Sequence, residues 1–448
     1  MKSPELLLPA GDLQRMRYAY AYGADAVYAG LPRYSLRVRN NGFNLENLGK
    51  GIEEAHQKDK LFFVATNLMP HNAKLRTFMD DMAEVIALQP DALIMADSGL
   101  IMMVREKWPE VPVHLSVQAN TVNYAAVKFW QSLGLRRIIL SRELSLNEIE
   151  EIRQCCPDME LEVFVHGALC IAYSGRCLLS GYFNHRDANQ GSCTNSCRWE
   201  YKIQEDDNGN QAAEPIEFNA FDAMNRTALT ENEKVERHPL ADREYLIEEP
   251  GRPGEMMPIN EDEHGTYIMN SKDLRAVEYV ERLVKIGIDS LKIEGRTKSL
   301  YYVTRAAQVY RRAIDDAVAG RPFNPLLLAE LDGLANRGYT PGFYQRHISH
   351  EMQNYLTGYS KSHKQKYVGQ VIDYDSQSSV AVVDVKNKFA VGDLLEIIRP
   401  EGNQRITLES MENLNGGAII EAPGGGYQVK IPIPAGSGMG LIARYLDP

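Results

Sequence analysis

Residues 5–29 read ELLLPAGDLQRMRYAYAYGADAVYA. Two short apolar runs, Glu5–Pro9 and Ala24–Ala29, flank a helical stretch, and this order of strand, helix and strand is typical of a βαβ unit. Both runs are apolar on their two faces, as strands buried inside a parallel sheet are. The stretch therefore predicts a parallel sheet that is covered by helices.

The same pattern continues through the first two thirds of the chain. Six further runs are predicted as strands: Leu61–Thr66, Ala92–Ala96, Val113–Val117, Arg137–Leu140, Glu160–Val165 and Ser290–Ile293. Helices are predicted over Asn44–Asp59, Arg76–Leu88, Tyr124–Leu133, Leu146–Cys155 and Leu300–Val318. Eight such strands alternating with helices favour a (β/α)8 TIM-like barrel over an open sheet. A further run, Thr266–Asn270, is either an extra strand or the lead-in to a helix predicted over Lys272–Ile286.

The pattern also divides the chain into domains. Residues 1–340 carry the barrel, residues 341–366 read as a linker, and residues 367–448 contain short alternating strands punctuated by Gly and Pro. This last segment predicts a small antiparallel β-barrel. Residues 204–263 are acidic and lack periodicity, so they predict an insertion into the large barrel. The insertion either covers a site as a lid or extends into solvent.

Composition limits the classes of function. The net charge of −11 argues against a broad surface that coats nucleic acid, but it leaves room for a local basic groove. No apolar run approaches the length of a membrane span, and the first residues do not resemble a secretory signal. We therefore expect a cytoplasmic protein without a membrane partner. In that reducing compartment clustered cysteines bind metal rather than form disulfides.

Four of the six cysteines lie in one segment, CIAYSGRCLLSGYFNHRDANQGSCTNSC, which covers residues 170–197. Thiolates are soft ligands that suit an iron–sulfur cluster or zinc. The spacing lacks the paired C-x2-C steps of a zinc ribbon, and glycines in the segment allow a loop to wrap closely around a cofactor. An iron–sulfur site is the favoured interpretation, with zinc and four unrelated thiols as alternatives. The candidate ligands are Cys170, Cys177, Cys193 and Cys197.

Polar side chains follow the predicted strands at their carboxyl ends, where (β/α)8 enzymes place their chemistry. Three of them are arginines: Arg37, Arg142 and Arg296. A guanidinium binds carboxylates and phosphates in bidentate fashion, so the arginines predict a site for a polyanionic small molecule or a nucleic-acid backbone. The amides expected at the same ends are Asn67, Gln118 and Asn120, each of which also suits a helix cap or a loop hydrogen bond.

Three further side chains are candidates for proton transfer: His166, Glu143 and Glu294. The two glutamates are equally suited to pair with the arginines. His166 lies four residues before Cys170, so it can relay protons, ligate a metal or simply pack.

Residues 162–180, EVFVHGALCIAYSGRCLLS, closely resemble the signature of the collagenase-like peptidase family U32. The segments LSRELS (140–145), SLKIEGRTKS (290–299) and FAVGDLLEI (389–397) also resemble that family, and the resemblance covers essentially the whole chain. Within the family, YSLRVRNNGF (34–43) and HLSVQAN (114–120) look most like members that modify tRNA.

For those members the resemblance implies prephenate-dependent 5-hydroxylation of the wobble uridine of tRNA. Other members act in oxygen-independent hydroxylation and hold a 4Fe-4S cluster by four cysteines. Carried over, Cys170, Cys177, Cys193 and Cys197 are the cluster ligands, although members differ in where the fourth cysteine lies. The barrel arginines are then expected to hold prephenate, a small dicarboxylate. The expected partners are tRNA, docked with help from the C-terminal domain and the basic segment Lys361–Lys366, and an electron-donor protein.

The family name also suggests a collagenase-like peptidase, which is the alternative function. The chain has no His-Glu-x-x-His motif, since His350-Glu351 lacks the second histidine, and it has no G-x-S-x-G elbow. A cysteine nucleophile beside His166 is conceivable, but it leaves three cysteines without a role. A third hypothesis is a non-catalytic scaffold or sensor whose cluster reports redox state.

Overall fold

The structure is a computed structural model that describes residues 2–31, 33–36, 42–169, 272–336, 338–345, 364–436 and 438–446, together with the backbone of three short strands between residues 245 and 267. Arg37 and the four clustered cysteines lie outside the described residues. The same holds for most of the predicted insertion (204–263) and most of the predicted linker (341–366).

Parallel strands close into a barrel, as the sequence predicts. The strands up to residue 293 are β1 (Glu5–Pro9), β2 (Ala26–Gly30), β3 (Leu61–Thr66), β4 (Ala92–Met95), β5 (Val113–Leu115), β6 (Arg137–Ile139), β7 (Glu160–Ala168), β8 (Tyr245–Glu248), β9 (Met256–Asp262), β10 (Gly265–Tyr267), β11 (Asp273–Arg275) and β12 (Ser290–Ile293). Strands β1 to β7 pair in sequence, and β12 pairs in parallel with both β1 and β7, which closes an eight-stranded barrel. The predicted (β/α)8 fold is confirmed.

Helices surround this barrel and begin at residues that can cap them. They are α1 (Leu13–Ala21), α2 (Leu45–His56), α3 (Asn72–Ala87), α4 (Ser98–Lys107), α5 (Tyr124–Ser132), α6 (Leu146–Cys155), α7 (Val280–Ile286), α8 (Leu300–Val318) and α9 (Leu326–Asp332). The side chain of Asp12 accepts a hydrogen bond from the Arg15 amide (2.8 Å), and Ser145 forms a capping box with Glu148. Among the described residues no helix is both long and apolar enough to cross a membrane.

The prediction of a helix over Lys272–Ile286 is wrong in its first half. Asp273–Arg275 forms β11, which pairs antiparallel with the end of β7 so that Arg275 lies opposite His166. A short 3-10 turn follows, and helix α7 begins at Val280. The hydrogen bonds that β7 offers beyond the barrel outweigh the helical pattern of these few residues. The ambiguous run Thr266–Asn270 overlaps β10.

The C-terminal residues form a curled antiparallel sheet, in agreement with the predicted all-β domain. The remaining strands are β13 (Tyr339–Thr340), which extends the barrel sheet beside β11, and then β14 (Gln365–Asp375), β15 (Val380–Val385), β16 (Phe389–Ala390), β17 (Leu394–Ile398), β18 (Gln404–Thr407), β19 (Glu412–Asn413), β20 (Glu421–Ala422), β21 (Gln428–Pro432) and β22 (Leu441–Tyr445). The seven-stranded sheet has the order β18-β17-β22-β14-β15-β21-β19. Its concave side buries an apolar core that includes Val383, Leu395 and Ile442.

Helix α8 packs against both the barrel and the C-terminal sheet. The guanidinium of Arg305, which is fully buried, lies 2.5 Å from the Glu396 carboxylate on β17. The Gln365 amide donates to the same carboxylate (2.6 Å). On α1's side, the Tyr22 hydroxyl lies 2.8 Å from the Ile398 carbonyl and 2.7 Å from the Met439 carbonyl. Buried polar contacts therefore fix the C-terminal sheet against the barrel.

A cationic cavity at the barrel mouth

A cavity of about 90 Å³ opens at the carboxyl ends of the barrel strands. Its polar lining consists of Asn67, Ser116, Gln118, Arg142, Lys292, Glu294 and Arg296. Tyr28 and Phe164 form aromatic walls. The polar side chains come from the ends of different strands, and the closed barrel directs all of those ends to the same place.

The structure brings together five of the residues predicted for the mouth: Asn67, Gln118, Arg142, Glu294 and Arg296. Asn120, Glu143 and His166 do not line this cavity. Arg37, Cys170, Cys177, Cys193 and Cys197 lie outside the described residues, so their roles stay predictions. The segment that carries these cysteines follows β7, whose carboxyl end belongs to the mouth.

Arg142 is held by neutral groups. Its Nη1 donates to the Ala168 carbonyl (2.7 Å), and its guanidinium carbon lies 4.6 Å from the centre of the Phe164 ring. Among the residues that the structure describes, no carboxylate lies within ion-pair distance of Arg142. A guanidinium that is positioned in this way keeps its charge available to an anion in the cavity.

Arg296 is positioned by the loop that follows β2. Its Nη2 donates to the Leu36 carbonyl (2.5 Å), and its guanidinium carbon lies 5.8 Å from the centre of the Tyr28 ring. Gly30 makes this position accessible, because a Cβ atom there would come within 2.1 Å of Nη1 of Arg296. The glycine at the end of β2 thus allows the close approach of the cation.

Lys292 is a third cation of the cavity, and the sequence reasoning missed it. The side chain is 3% exposed, and its Nζ lies 2.7 Å from a carboxylate oxygen of Glu162, which is fully buried. Burial lowers the pKa of Lys292, and Glu162 opposes that shift. The available signal was a lysine inside an otherwise apolar barrel strand, since a lysine is rarely buried without a partner.

The amides connect the loops around the cavity. Asn67 accepts from the Leu36 amide (3.2 Å) and donates to the Ser116 hydroxyl (3.3 Å), so it ties the loop after β2 to the end of β5. Asn120 has a left-handed backbone (φ 52°) and accepts from the Ser141 hydroxyl (2.7 Å), which links the loops after β5 and β6. These contacts stabilise the mouth and leave the charge of the arginines unchanged.

His166 lies in a cage of three tyrosine rings rather than in the cavity. The ring centres of Tyr302, Tyr310 and Tyr339 lie 5.5–5.6 Å from that of His166. The Tyr310 hydroxyl donates to the Val165 carbonyl (2.7 Å), so it accepts from Nδ1 of His166 (3.3 Å). That assignment leaves Nε2 as an acceptor, and this buried atom has no hydrogen-bond partner among the residues that the structure describes. Burial lowers the pKa of His166 to about 3, so the imidazole is neutral near pH 7.

The two glutamates have different surroundings. Glu294 follows β12, is 8% exposed and lines the same cavity as the arginines. Its backbone is fixed, because its amide donates to the His166 carbonyl (2.9 Å) and its carbonyl accepts from the Tyr302 hydroxyl (2.8 Å). Glu143 follows β6, is half-buried and does not line the cavity. Of the two carboxylates, Glu294 is therefore the one placed to meet a ligand.

The charges of the lining favour an anionic ligand. Three cationic side chains, Arg142, Lys292 and Arg296, face the cavity with one carboxylate, Glu294. In a site with low-dielectric walls this excess concentrates an anion strongly. The arrangement can bind a compound with two carboxylates through two guanidinium groups, and it offers one carboxylate as a proton acceptor.

Comparisons with known proteins give the family context of this site. The family model described as peptidase family U32 matches residues 11–354, and the model of the U32 C-terminal domain matches residues 363–444. The chain is 61% identical over 440 residues to tRNA hydroxylation protein P of Escherichia coli (strain K12), which covers 97% of this chain and 94% of the relative. Identity to tRNA hydroxylation protein P of Haemophilus influenzae is 56% over 440 residues, covering 96% of this chain and 93% of the relative.

A more distant relative has a different function in its name. The chain is 24% identical over 447 residues to the collagenase of Porphyromonas gingivalis, which covers 96% of this chain and 94% of the relative.

Proposed function

The chain belongs to peptidase family U32, and from this premise we propose that it acts as an enzyme in the hydroxylation of tRNA. The observation that carries the proposal is the 61% identity, over nearly the full length of both chains, to a protein named for tRNA hydroxylation. The finer proposal is prephenate-dependent, oxygen-independent 5-hydroxylation of the wobble uridine.

The cavity supports an anionic co-substrate. Prephenate carries two carboxylates, and Arg142 and Arg296 present two guanidinium groups to one cavity. Both guanidinium groups are positioned by backbone carbonyls, those of Ala168 and Leu36, so binding requires little reorganisation of the site. Glu294, which lines the same cavity, is the proposed acceptor of a proton from the bound molecule.

A 4Fe-4S cluster is the proposed cofactor. Four thiolates are the donor set that such clusters use, and Cys170, Cys177, Cys193 and Cys197 are the residues that would hold it. When bound, the cluster would supply electron transfer for the hydroxylation, and an electron-donor protein is the corresponding proposed partner. Cys155 is half-buried and Cys156 is buried at the end of α6, where they serve packing.

The proposed nucleic-acid partner is tRNA. Part of the basic segment Lys361–Lys366 is described, and both Lys364 and Lys366 are exposed where β14 begins. Lys364 lies 3.0 Å from Asp332 on α9, so its position is fixed by the barrel. An exposed basic segment between the two domains suits a phosphate backbone.

A collagenase-like peptidase is the second candidate, and the similarity to a collagenase favours it. Hydrolysis of a peptide bond needs a nucleophile with a base or an activated water. The described lining of the cavity contains no cysteine or histidine, and Ser116 accepts from the Gln118 amide rather than pairing with a described base. Hydroxylation of tRNA is therefore the better supported function.

The test is complementation of a strain in which the gene is deleted, followed by mass spectrometry of tRNA nucleosides. The wild-type chain should restore the hydroxylated wobble uridine, and Cys170→Ala should not. Anaerobically purified wild-type protein should be brown, with iron and acid-labile sulfide in near-equal amounts.

Cys156→Ala is the matched control, since it removes a thiol outside the cluster segment and should leave both hydroxylation and colour intact. Stoichiometric zinc without sulfide would contradict the cluster. Cleavage of gelatin that is lost in Cys170→Ala would favour the peptidase.

A further inference from the structure

Three cations in the cavity are arranged around two aromatic rings. Nζ of Lys292 lies 4.4 Å from the centre of the Tyr28 ring and 5.5 Å from that of Phe164. Arg296 lies over the same tyrosine (5.8 Å), and Arg142 lies over the same phenylalanine (4.6 Å). Lys292 therefore stands between the two arginines, with one ring shared on each side.

The positive charges of these three side chains repel one another. Cation–π contacts with the two rings offset only part of this repulsion. The carboxylate next to Lys292 is shared, because the second oxygen of Glu162 lies 3.2 Å from Arg137. The only carboxylate in the described lining is Glu294. An anion that enters the cavity therefore meets three positive charges.

Lys292 lies deeper in the barrel than the arginines. It is within β12, opposite Leu7 on β1 and Phe164 on β7, whereas Arg142 and Arg296 follow the ends of their strands. We propose that Lys292 is a third anion-binding residue, which contacts a carboxylate of the bound molecule at the floor of the cavity while Glu162 positions its ammonium group. This inference rests on the proposed anionic co-substrate and assigns a residue that the sequence pattern did not.

The ligand class follows from the depth of the three cations. A carboxylate at the floor meets Lys292, and a second carboxylate nearer the opening meets Arg142 or Arg296. A compact dicarboxylate satisfies both positions, and a monocarboxylate of the same size satisfies only one. Affinity should therefore depend on both carboxylates.

The charge of Lys292 depends on the groups that surround it. Those groups are Glu162 on β7, Arg137 on β6, Arg296 after β12, His114 on β5 and Tyr28 on β2. Burial, Arg137 and Arg296 lower the pKa of Lys292, and Glu162 is the group that raises it. Without the charge of Glu162, the amine of Lys292 would lose its proton more readily in the empty cavity. A bound anion would favour the protonated ammonium, so binding would be accompanied by uptake of a proton.

The experiment is calorimetric titration of prephenate into the anaerobically purified full chain. Lys292→Met combined with Glu162→Gln removes the ammonium without leaving a buried carboxylate alone. This double variant should bind prephenate at least tenfold more weakly than wild type. The Glu162→Gln variant alone should take up a proton when it binds prephenate, which is measured by titration in buffers of different ionisation enthalpy. Its affinity for prephenate should fall as pH rises, over a range in which the affinity of the wild type changes little.

Arg305→Met combined with Glu396→Gln is the control, because it neutralises another buried ion pair far from the cavity. It should leave the affinity for prephenate unchanged. Wild-type affinity in the Lys292→Met, Glu162→Gln variant would overturn the inference and leave the arginine site standing. Absence of prephenate binding by wild type would overturn both the inference and the proposed co-substrate, whereas the role in tRNA hydroxylation is decided separately by the deletion strain.

Discussion

Arg137 and Arg142 are five residues apart, yet they have opposite surroundings. Arg137, at the amino end of the barrel, lies 2.7 Å from Glu5, 3.0 Å from Glu160 and 3.2 Å from Glu162. Arg142, at the carboxyl end, contacts a carbonyl and an aromatic face. The protein itself neutralises the first arginine, whereas no described carboxylate pairs with the second. The carboxylates near a barrel arginine therefore indicate its role. An arginine with several carboxylate neighbours stabilises the fold, and one without them is a candidate for binding an anion.

The difference has an energetic basis. Moving a charged group from water into the barrel is costly unless a group of opposite charge lies near it. Arg137 is the counter-charge for three carboxylates. Burial nevertheless raises the pKa of Glu5, while Arg137 opposes the shift. At the amino end the charges are thus paired with one another. At the mouth the described lining has three cationic side chains and one carboxylate.

The largest effect is expected for Arg137→Met. The substitution leaves Glu5 buried without its cationic partner and removes one of the two cations beside Glu162, so the free energy of unfolding should fall by about 3–5 kcal/mol. Denaturant unfolding followed by circular dichroism measures this loss. Arg142→Met, which leaves no described carboxylate without its partner, should change stability by less than about 1 kcal/mol. Equal losses in the two variants would remove the distinction between the two ends.

The next effect concerns function. Arg142→Lys and Arg296→Lys keep the positive charge but lose the planar pair of donors that a carboxylate requires. Each should cost about 1.5–3 kcal/mol of binding, or roughly tenfold to a hundredfold in hydroxylation. The measurement is tRNA nucleoside analysis in the deletion strain that carries each variant, with the cluster spectrum and the unfolding curve as folding controls. Full hydroxylation in both variants would place the anion elsewhere, with Arg37 as the next candidate.

A smaller effect is expected from pH. Burial holds the pKa of His166 at about 3, below its ordinary value of 6.5, so the unfolded chain binds a proton between these values and the folded chain does not. This histidine therefore lowers stability as pH falls below about 6.5, by roughly 1–2 kcal/mol between pH 7 and pH 5. His166→Gln should reduce that loss by the same amount in unfolding curves at the two pH values. An unchanged pH dependence would mean that the imidazole is protonated in its tyrosine cage.

The fold could be predicted because buried parallel strands leave a local pattern. Glu5–Pro9, Leu61–Thr66 and Ser290–Ile293 have the predicted bounds, since apolar runs between turn residues determine them. β11 could not be predicted, because its partner strand lies about a hundred residues earlier in the chain. Local pattern carries no information on pairing at that distance.

The sequence could predict a residue of the site only where the position of that residue at the end of a strand was enough to place it at the mouth. Arg142 and Arg296 follow strands, so closure of the barrel brings them to the mouth. Lys292 lies within a strand, and in strands that are buried on both faces the sequence does not say which side chain points into the cavity. The cage around His166 was equally hidden, because its tyrosines lie more than a hundred residues further along the chain.

The pairing of β7 with β11 has a consequence for how the barrel is assembled. Ala168 lies opposite Asp273, so the chain leaves the barrel and returns to it at adjacent positions. An excursion of about a hundred residues between them adds little loop-closure cost, since that cost grows only with the logarithm of length. The pairing of β7 with β12 is nevertheless non-local, since it joins Glu162 to Ser290, and contacts of this kind slow folding. Replacing residues 170–271 with a short glycine-rich turn should therefore accelerate barrel folding, and this part of the chain can be exchanged during evolution without redesign of the scaffold.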